Sequence, residues 1–295
     1  MDLQRVRTFR TAATLMNFNR TAEVLNCAQS TVSAQIKSLE DEIGTMLFKR
    51  IGKSVQLTEA GAKLLVYADK LLAVREEALA DLAGKSRPSG LLTLRLPQTI
   101  AAWYLPRALC EYQARFPGVR LDITSCAVHS LEHELRIGTV DLAFLFSDGI
   151  GAENIEAEFL RSERLAVITH PLHPLTLCRQ VGFKDLEGQV LLLPKSDCGY
   201  RMIFEQELAA QKVMPATVIE MNSIEAVKQT IMAGLGVTLM PEIAIRMELE
   251  QGRVAELNWE DDLETGILML QCRDKWISPH LEAFMEMMRC FVGQD

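Results

Sequence analysis

The chain has 295 residues, 48% of them hydrophobic and 24% charged, and carries a net charge of −8. That is enough apolar material for two or more domains with their own cores, and it excludes a disordered, low-complexity or collagen-like chain. No basic, apolar, cleavable leader opens the sequence and no apolar run approaches the ~20 residues that span a bilayer, so a cytoplasmic protein with no membrane partner is expected.

Net acidity argues against nucleic acid unless the charge is unevenly placed. It is. Residues 1–65 hold 9 basic and 6 acidic side chains, a surplus of +3 that leaves −11 for the remainder. A mildly basic head on an acidic body is therefore expected. The seven cysteines (27, 110, 126, 178, 198, 272 and 290) are odd in number, scattered and without a CxxC pair, which points to reduced thiols rather than a disulfide framework or a structural zinc site.

In chain order, Leu3, Val6, Phe9, Ala13 and Met16 share one helical face, with Arg5, Arg7 and Arg10 left for solvent or phosphate. From 18 to 53 two short helices flank a tight connection at Asn26, Cys27 and Ala28. Asn19 is placed to cap the first, with Ala22 and Leu25 on one face. In the second, Val32, Ile36, Leu39 and Ile43 recur at helical spacing and face inward, which turns Gln29, Ser30, Thr31, Ser33, Gln35 and Lys37 outward. Hydroxyls and amides at that density suit the donor and acceptor pattern of a major groove better than they suit catalysis. After Gly44, the run Leu47, Phe48, Lys49, Arg50, then Gly52, Lys53, Val55 and Leu57 has the pattern of a small β-wing with cations for phosphate.

These residues carry a resemblance. The chain is similar to the LysR-type transcriptional regulators in its FNRTAEVLN run at 18–26, in Gln29 to Ser33 and in 36–40. The match continues through Gly44, Leu47, Phe48, Arg50 and the Leu57, Thr58, Glu59, Ala60, Gly61 run. Two positions depart from it. Ala28 stands where the family often has a capping Ser, and Ala34 where it often has Arg. The resemblance implies a winged helix-turn-helix at 1–58, a linker and dimerisation helix with a hinge at 59–88, and an effector-binding domain at 89–295. The last divides into α/β subdomains of the type II periplasmic-binding-protein kind, one of 89–161 with 265–295 and one of 162–264. The fold class is α/β.

Beyond the wing, Thr58 and Glu59 open a helix expected to run to about Lys85. Leu64, Leu71 and Ala78 recur every seven residues, with Ala68, Arg75 and Leu82 on the adjoining row. One helix cannot bury such a seam alone, so pairing with a second chain through 59–85 is expected in preference to packing on its own body, with recognition helices about one DNA turn, or a multiple of it, apart. The resemblance extends this to a tetramer. Residues 84–90 read as a hinge by their Gly, Ser and Pro.

From Leu91 strands and helices alternate. Strands are expected at 91–96, 119–124, 141–146, 166–169, 190–193, 217–221, 237–240 and 267–271. Helices are expected at 101–115, 130–137, 200–211, 224–233 and 279–291. This alternation predicts parallel sheets covered on both faces, with ligands outside the carboxyl ends of the strands. The resemblance implies two chain crossings between subdomains, near 161–162 and 264–265, and a small effector in the cleft between them. Gln98, Thr99, Ile100, Phe146, Ser147, Ser196, Cys198 and Ser223 lie in the loops that would line it. Helix N-termini and hydroxyls there favour an anion. The resemblance raises Thr99 and Ser196 above the rest.

Three other features bear on function. Cys198, near Arg201, has the setting of a reactive thiol but no neighbouring partner in sequence. His129, Glu132 and His133 match HxxEH, the pattern of a metal-dependent hydrolase, but no third ligand is evident. A plain solute-binding protein with a dimerising head is disfavoured by the cations Arg50 and Lys53. No GxGxxG, GxxxxGK[ST] or GxSxG occurs. The expectation is a regulator that binds double-stranded DNA and a small effector, with base readout by Gln29, Ser30, Thr31, Ser33 and Gln35 and phosphate contacts from Lys37, Arg50 and Lys53. No catalytic residue, metal or cofactor is expected.

Overall fold

A computed structural model describes residues 1–51, 54–82, 89–125, 128–147, 149, 151, 153–194, 199–273 and 277–293. Contacts divide the chain into two compact units, Met1–Leu92 with Phe116–Leu121, and Thr93–Arg115 with Asp122–Asp295.

The first unit contains three short helices, α1 (Leu3–Leu15), α2 (Phe18–Val24) and α3 (Gln29–Ile43), a hairpin of β1 (Phe48–Ile51) and β2 (Ser54–Leu57), and the long α4 (Glu59–Leu82). Asp2 caps α1 and Asn17, not Asn19, caps α2 through a bond from Arg20 N. The cap precedes the helix because its backbone must stay extended while its side chain reaches back into the first turn. Ala28 gives α3 no side-chain cap, as its methyl dictates. At the far end Gly44 takes φ 78 and closes the helix by donating to Glu40 O. Val32, Ile36 and Leu39 are buried with Val6, Phe9, Ala12, Ala13, Ala22, Leu47 and Phe48 in one core. Ile43 is 40% exposed instead, because the helix ends there and its inward stripe has run past the neighbours it packs on. Leu3 and Met16 are likewise exposed at the two ends of α1.

In α4 the apolar rows part company. Ala68 is fully buried and Leu64, Leu65 and Leu72 pack on the same core, so one side of the expected seam is taken within the chain. Leu71, Val74 and Leu79 stay exposed, Val74 at 55%. Residues 83–88, most of the expected hinge, lie outside the described residues.

In chain order the remaining elements are β3 (Ser89–Arg95), α5 (Gln98–Trp103), α6 (Leu105–Arg115), β4 (Gly118–Thr124), α7 (Val128–Arg136), β5 (Leu142–Phe146), β6 (Ile155–Thr169), β7 (Val190–Pro194), α8 (Gly199–Ala210), β8 (Thr217–Met221), α9 (Ile224–Met232), β9 (Val237–Pro241), α10 (Arg246–Glu250), β10 (Ala255–Glu256), β11 (Leu263–Cys272) and α11 (Pro279–Gly293). The helix expected over 101–115 is two helices. Pro106 cannot donate a backbone N–H, so it fits the first turn of a new helix and not the middle of one.

The strands form one sheet in the order β4-β3-β5-β11-β6-β9-β7-β8, with β10 beside β6. It is mixed, which corrects the expectation of parallel sheets. The β3–β5, β7–β8 and β7–β9 pairs are parallel, whereas β6 and β11 run antiparallel to each other and to β9 and β5 respectively. The strand expected at 166–169 is only the end of the 15-residue β6. In register, Ser162 faces Gly266 and Glu163 faces Thr265, and a shift between Ile267 and Leu268 leaves Leu160 outside the ladder. Beneath β6, β7 and β9 lies a core of Ala166, Ile168, Leu192, Val227, Ile231 and Met240.

Candidate functional site

The head presents α3 with its polar face outward. Gln29, Ser30, Thr31 and Lys37 are exposed, and Ser33 is half-buried. Gln29 and Ser33 stand one turn apart, and Gln29 Nε2 donates to Ser33 Oγ at 2.8 Å, so the pair meets a duplex as one bonded unit with the Gln29 carbonyl still available. Gln35 is different. Its Oε1 accepts from the buried Thr8 hydroxyl at 2.6 Å, which places it on the flank of α3 toward α1. Helical geometry explains the placement, since residue 35 lies about 100° from Ile36 and so borders the packed face. Of the α1 cations, Arg5 pairs with Glu42 at 3.3 Å and Arg10 with Asp69 at 2.9 Å, while Arg7 is exposed. Lys49 is exposed on β1. Arg50 belongs to β1 by its backbone, and Lys53 lies outside the described residues.

In the second unit the loops at the carboxyl ends of the strands converge. Gln98 and Thr99 open α5 after β3. Gln98 Nε2 donates to Asn222 O at 2.7 Å, and its Oε1 accepts from Ile224 N at 3.2 Å, so it grips the start of α9. Thr99 and Ile100 are both 0% exposed, and the Thr99 hydroxyl has no hydrogen-bond partner among the described residues. Phe146 ends β5 with its ring edge-on to Tyr200 of α8, the centroids 5.7 Å apart. Gly199 lies so close to the Phe146 carbonyl that a Cβ there would overlap the oxygen. Ser147 N donates to Gly266 O at 2.9 Å, and Ser147 Oγ donates to Gly149 O at 2.8 Å. Ser223 caps α9 by accepting from Ala226 N. Its oxygen thus has a helix to satisfy, a role the sequence motif alone did not distinguish from ligand contact. Ser196 and Cys198 lie outside the described residues. Free cysteines among those described are 27, 110, 178, 272 and 290.

Three residues that the sequence did not single out complete the arrangement. Trp103 packs on the core beneath β6, β7 and β9, with the Lys228 ammonium 5.7 Å from its ring centroid. Tyr104 Oη donates to Glu163 Oε2 at 2.5 Å, and both residues are buried. Burial first, and then that bond to a carboxylate, push the Tyr104 phenol above its usual range. Ile243 N reaches the other oxygen of Glu163 at 3.4 Å. The one signal in the sequence was an aromatic pair just before Pro106, where one helix ends and the next begins.

Two further features bear on chemistry. Glu132 and His133 are exposed on α7, the side chain of His129 is outside the described residues, and His133 Nδ1 lies 3.5 Å from Arg136 Nη2. Among the described residues no group of His, Cys, Asp and Glu is placed to hold a metal ion. An acid-rimmed depression of about 410 Å³ lies between Arg164, Glu256, Trp259, Asp261 and Asp262, away from the converging loops. No described helix is long and apolar enough to cross a membrane.

Comparison with known proteins gives two family matches. Residues 3–62 match the bacterial regulatory helix-turn-helix protein, lysR family, and residues 85–292 match the LysR substrate binding domain. The chain is 36% identical over 290 residues to the uncharacterized HTH-type transcriptional regulator YwqM of Bacillus subtilis (strain 168), covering 98% of this chain and 99% of that protein. It is 33% identical to the RuBisCO operon transcriptional regulator of Allochromatium vinosum, covering 97% and 95%. Its fold is like that of full-length OxyR from Pseudomonas aeruginosa, at 23% identity, TM-score 0.68 and coverage of 99% and 94%. It is also like that of full-length CbnR in complex with its target DNA, at 21% identity, TM-score 0.64 and coverage of 98% and 99%.

Proposed function

Because the chain belongs to the LysR family of bacterial helix-turn-helix regulators, we propose that its hold on promoter DNA is adjusted, in binding or in bending, by a small anionic effector. The protein is a transcription regulator with a DNA-binding head and an effector-binding domain, and not an enzyme. One observation carries the effector reading. The Thr99 hydroxyl is fully buried at the carboxyl end of β3 without a described partner, beside the Gln98 bridge. A buried polar group left unbonded costs about 1–3 kcal/mol, which an incoming carboxylate or phosphate oxygen relieves. Gln98, Ile100, Phe146 and Ser147 wall the same region and Ser223 opens the helix opposite. The effector acts only to the extent that it binds one arrangement of the domain better than another.

On DNA, Gln29, Ser30, Thr31 and Ser33 read base edges, and Lys37, Arg50 and Lys53 meet phosphates. Gln35 supports α3 through Thr8. Two copies pair along the row of α4 that its own chain leaves open, Leu71, Val74 and Ala78, and two such pairs form the tetramer.

The test is thermal melting of the full chain against a panel of small mono- and dicarboxylates and phosphate esters. At least one should raise the melting temperature in proportion to its concentration, and Thr99→Val should abolish the rise. Equal stabilisation of wild type and T99V, or none by the whole panel, would overturn the site. For pairing, Val74→Asp should shift the sedimenting species to lower mass.

A further inference from the structure

In a winged head the recognition helix and the wing must meet the duplex in one register, since bases and phosphates are contacted together. A buried carboxylate sets that register. Glu40, in the last turn of α3, is 9% exposed, and its Oε1 alone accepts from Leu47 N at 2.7 Å and from Phe48 N at 3.2 Å. The carbonyls of the same stretch are held from the other side. Leu47 O accepts from Thr58 N at 3.0 Å and Met46 O from Thr58 Oγ1 at 2.7 Å. Gly61, in the first turn of α4, leaves no room for a Cβ between itself and Leu47 O. Residues 46–48 are thus clamped, by their N–H groups to α3 and by their carbonyls to α4. Lys49 follows at once on the strand.

A carboxylate is a costly way to fill this space. Burying one is unfavourable unless its oxygens are well bonded, and an apolar side chain of similar length would pack without that penalty. What an apolar residue cannot do is take two backbone N–H groups on one atom and so fix the height of β1 above the face of α3.

We propose that Glu40 is a positioning residue for DNA recognition: through Leu47 and Phe48 it brings Lys49 and Arg50 to the phosphate backbone in register with Gln29 and Ser33 at the base edges. The proposal rests on the head being the DNA-reading part of the chain.

The test uses the full chain as wild type, Glu40→Ala, Glu40→Gln and Thr58→Val. Each is titrated across a salt series against a duplex enriched from a random pool by the wild-type protein. In E40A the slope of log affinity against log salt should fall by about 2 per head, since each lost phosphate contact removes about 0.9. Single-base changes in the duplex should keep their wild-type effect. In E40Q, which retains an oxygen able to accept both N–H groups, the slope should stay at the wild-type value, and in T58V it should fall partway. A purely structural Glu40 would lower stability and leave the slope alone, and a wild-type slope in folded E40A overturns the proposal. So does an equal loss in E40Q. Should E40A fail to fold, the other two decide: a reduced slope in T58V beside an unchanged one in E40Q supports the clamp, and an unchanged slope in T58V refutes it. If the wild type enriches no sequence, the DNA-reading premise itself fails, which is visible before any variant is made.

Discussion

Gln98 Oε1 accepts from Ile224 N at 3.2 Å, so a side chain from the start of one helix caps the first free N–H of another 126 residues away. Its Nε2 completes a two-point grip on Asn222 O. A hydrogen bond of this kind contributes about 0.5–1.5 kcal/mol, less where solvent competes, as it does at exposed Gln98. Gln98→Ala should therefore speed hydrogen exchange at the Ile224 amide by up to about tenfold, with the centre of α9 unchanged. Unchanged exchange at Ile224 would mean that the bridge does not persist in solution.

Gly199 gives a prediction whose sign opposes helix propensity. Alanine in place of glycine in a helix ordinarily stabilises by about 0.5–1 kcal/mol. At this position the added Cβ would overlap the Phe146 carbonyl, and overpacking of that kind costs about 1–3 kcal/mol. Gly199→Ala should lower the urea midpoint and loosen the Phe146–Tyr200 ring contact. A stabilised variant would contradict the close approach.

Lys228 is buried with its ammonium 2.9 Å from Glu248 Oε1 and 3.2 Å from Ala244 O. Removing one member strands the other in the interior. Lys228→Met should cost about 3 kcal/mol, toward the lower end for buried pairs because Arg253 remains 3.4 Å from Glu248. Adding Glu248→Met should recover part of that loss in a double-mutant cycle of urea midpoints. Strictly additive losses would show that the two are not coupled.

His280 supplies a pH dependence. It is buried, its Nε2 lies 3.1 Å from Ser278 Oγ, and burial holds its pKa below the ordinary value, with Asp141 offsetting part of the shift. A depressed folded pKa means that the unfolded chain takes up the proton first. Stability contributed by neutral His280 is therefore full above about pH 6.5 and is lost as pH falls below it, at no more than about 1.4 kcal/mol per pH unit. His173, lowered by burial as well, acts in the same direction. The drop in urea midpoint between neutral and mildly acidic pH should be smaller in His280→Gln than in wild type. An identical drop would assign the acid sensitivity elsewhere.

The head was largely legible because its signals are local. Val32, Ile36 and Leu39 recur at helical spacing, Gly44 ends the helix, and Phe48–Ile51 pairs with Ser54–Leu57 as the expected wing. Asn17 was missed for Asn19 because two capping residues stood two positions apart, and only backbone conformation distinguishes them. In the body, β6 escaped notice before residue 166 because Glu156, Glu158, Arg161, Glu163 and Arg164 give it the polarity of a loop. Its pairing with β11, far along the chain, is what makes it a strand. Gln35, Gln98 and Ser223 show a related limit: in sequence a polar residue reads alike whether it faces ligand, DNA or another part of the chain. Gln35 accepts from Thr8 and Gln98 from Ile224 N, partners far off in sequence, whereas Ser223 accepts from Ala226 N in its own helix.

The pairing of β6 with β11 carries a last consequence. Its ladder runs from Leu263 opposite Leu165 to Cys272 opposite Ile155, and its one irregularity leaves out Leu160 beside the Ile267–Leu268 step. A ligand that turns one half of the sheet against the other must twist this two-stranded ribbon, because sliding would break the ladder along its whole length. Only its Arg164–Glu264, Glu163–Thr265 and Ser162–Gly266 pairs have no third strand beside them among the described residues, since β9 flanks β6 from Leu165 and β5 flanks β11 from Ile267. A turn of one end of the sheet against the other would therefore be taken up at those three pairs, and a change that stiffened them would raise the ligand concentration needed for a given turn.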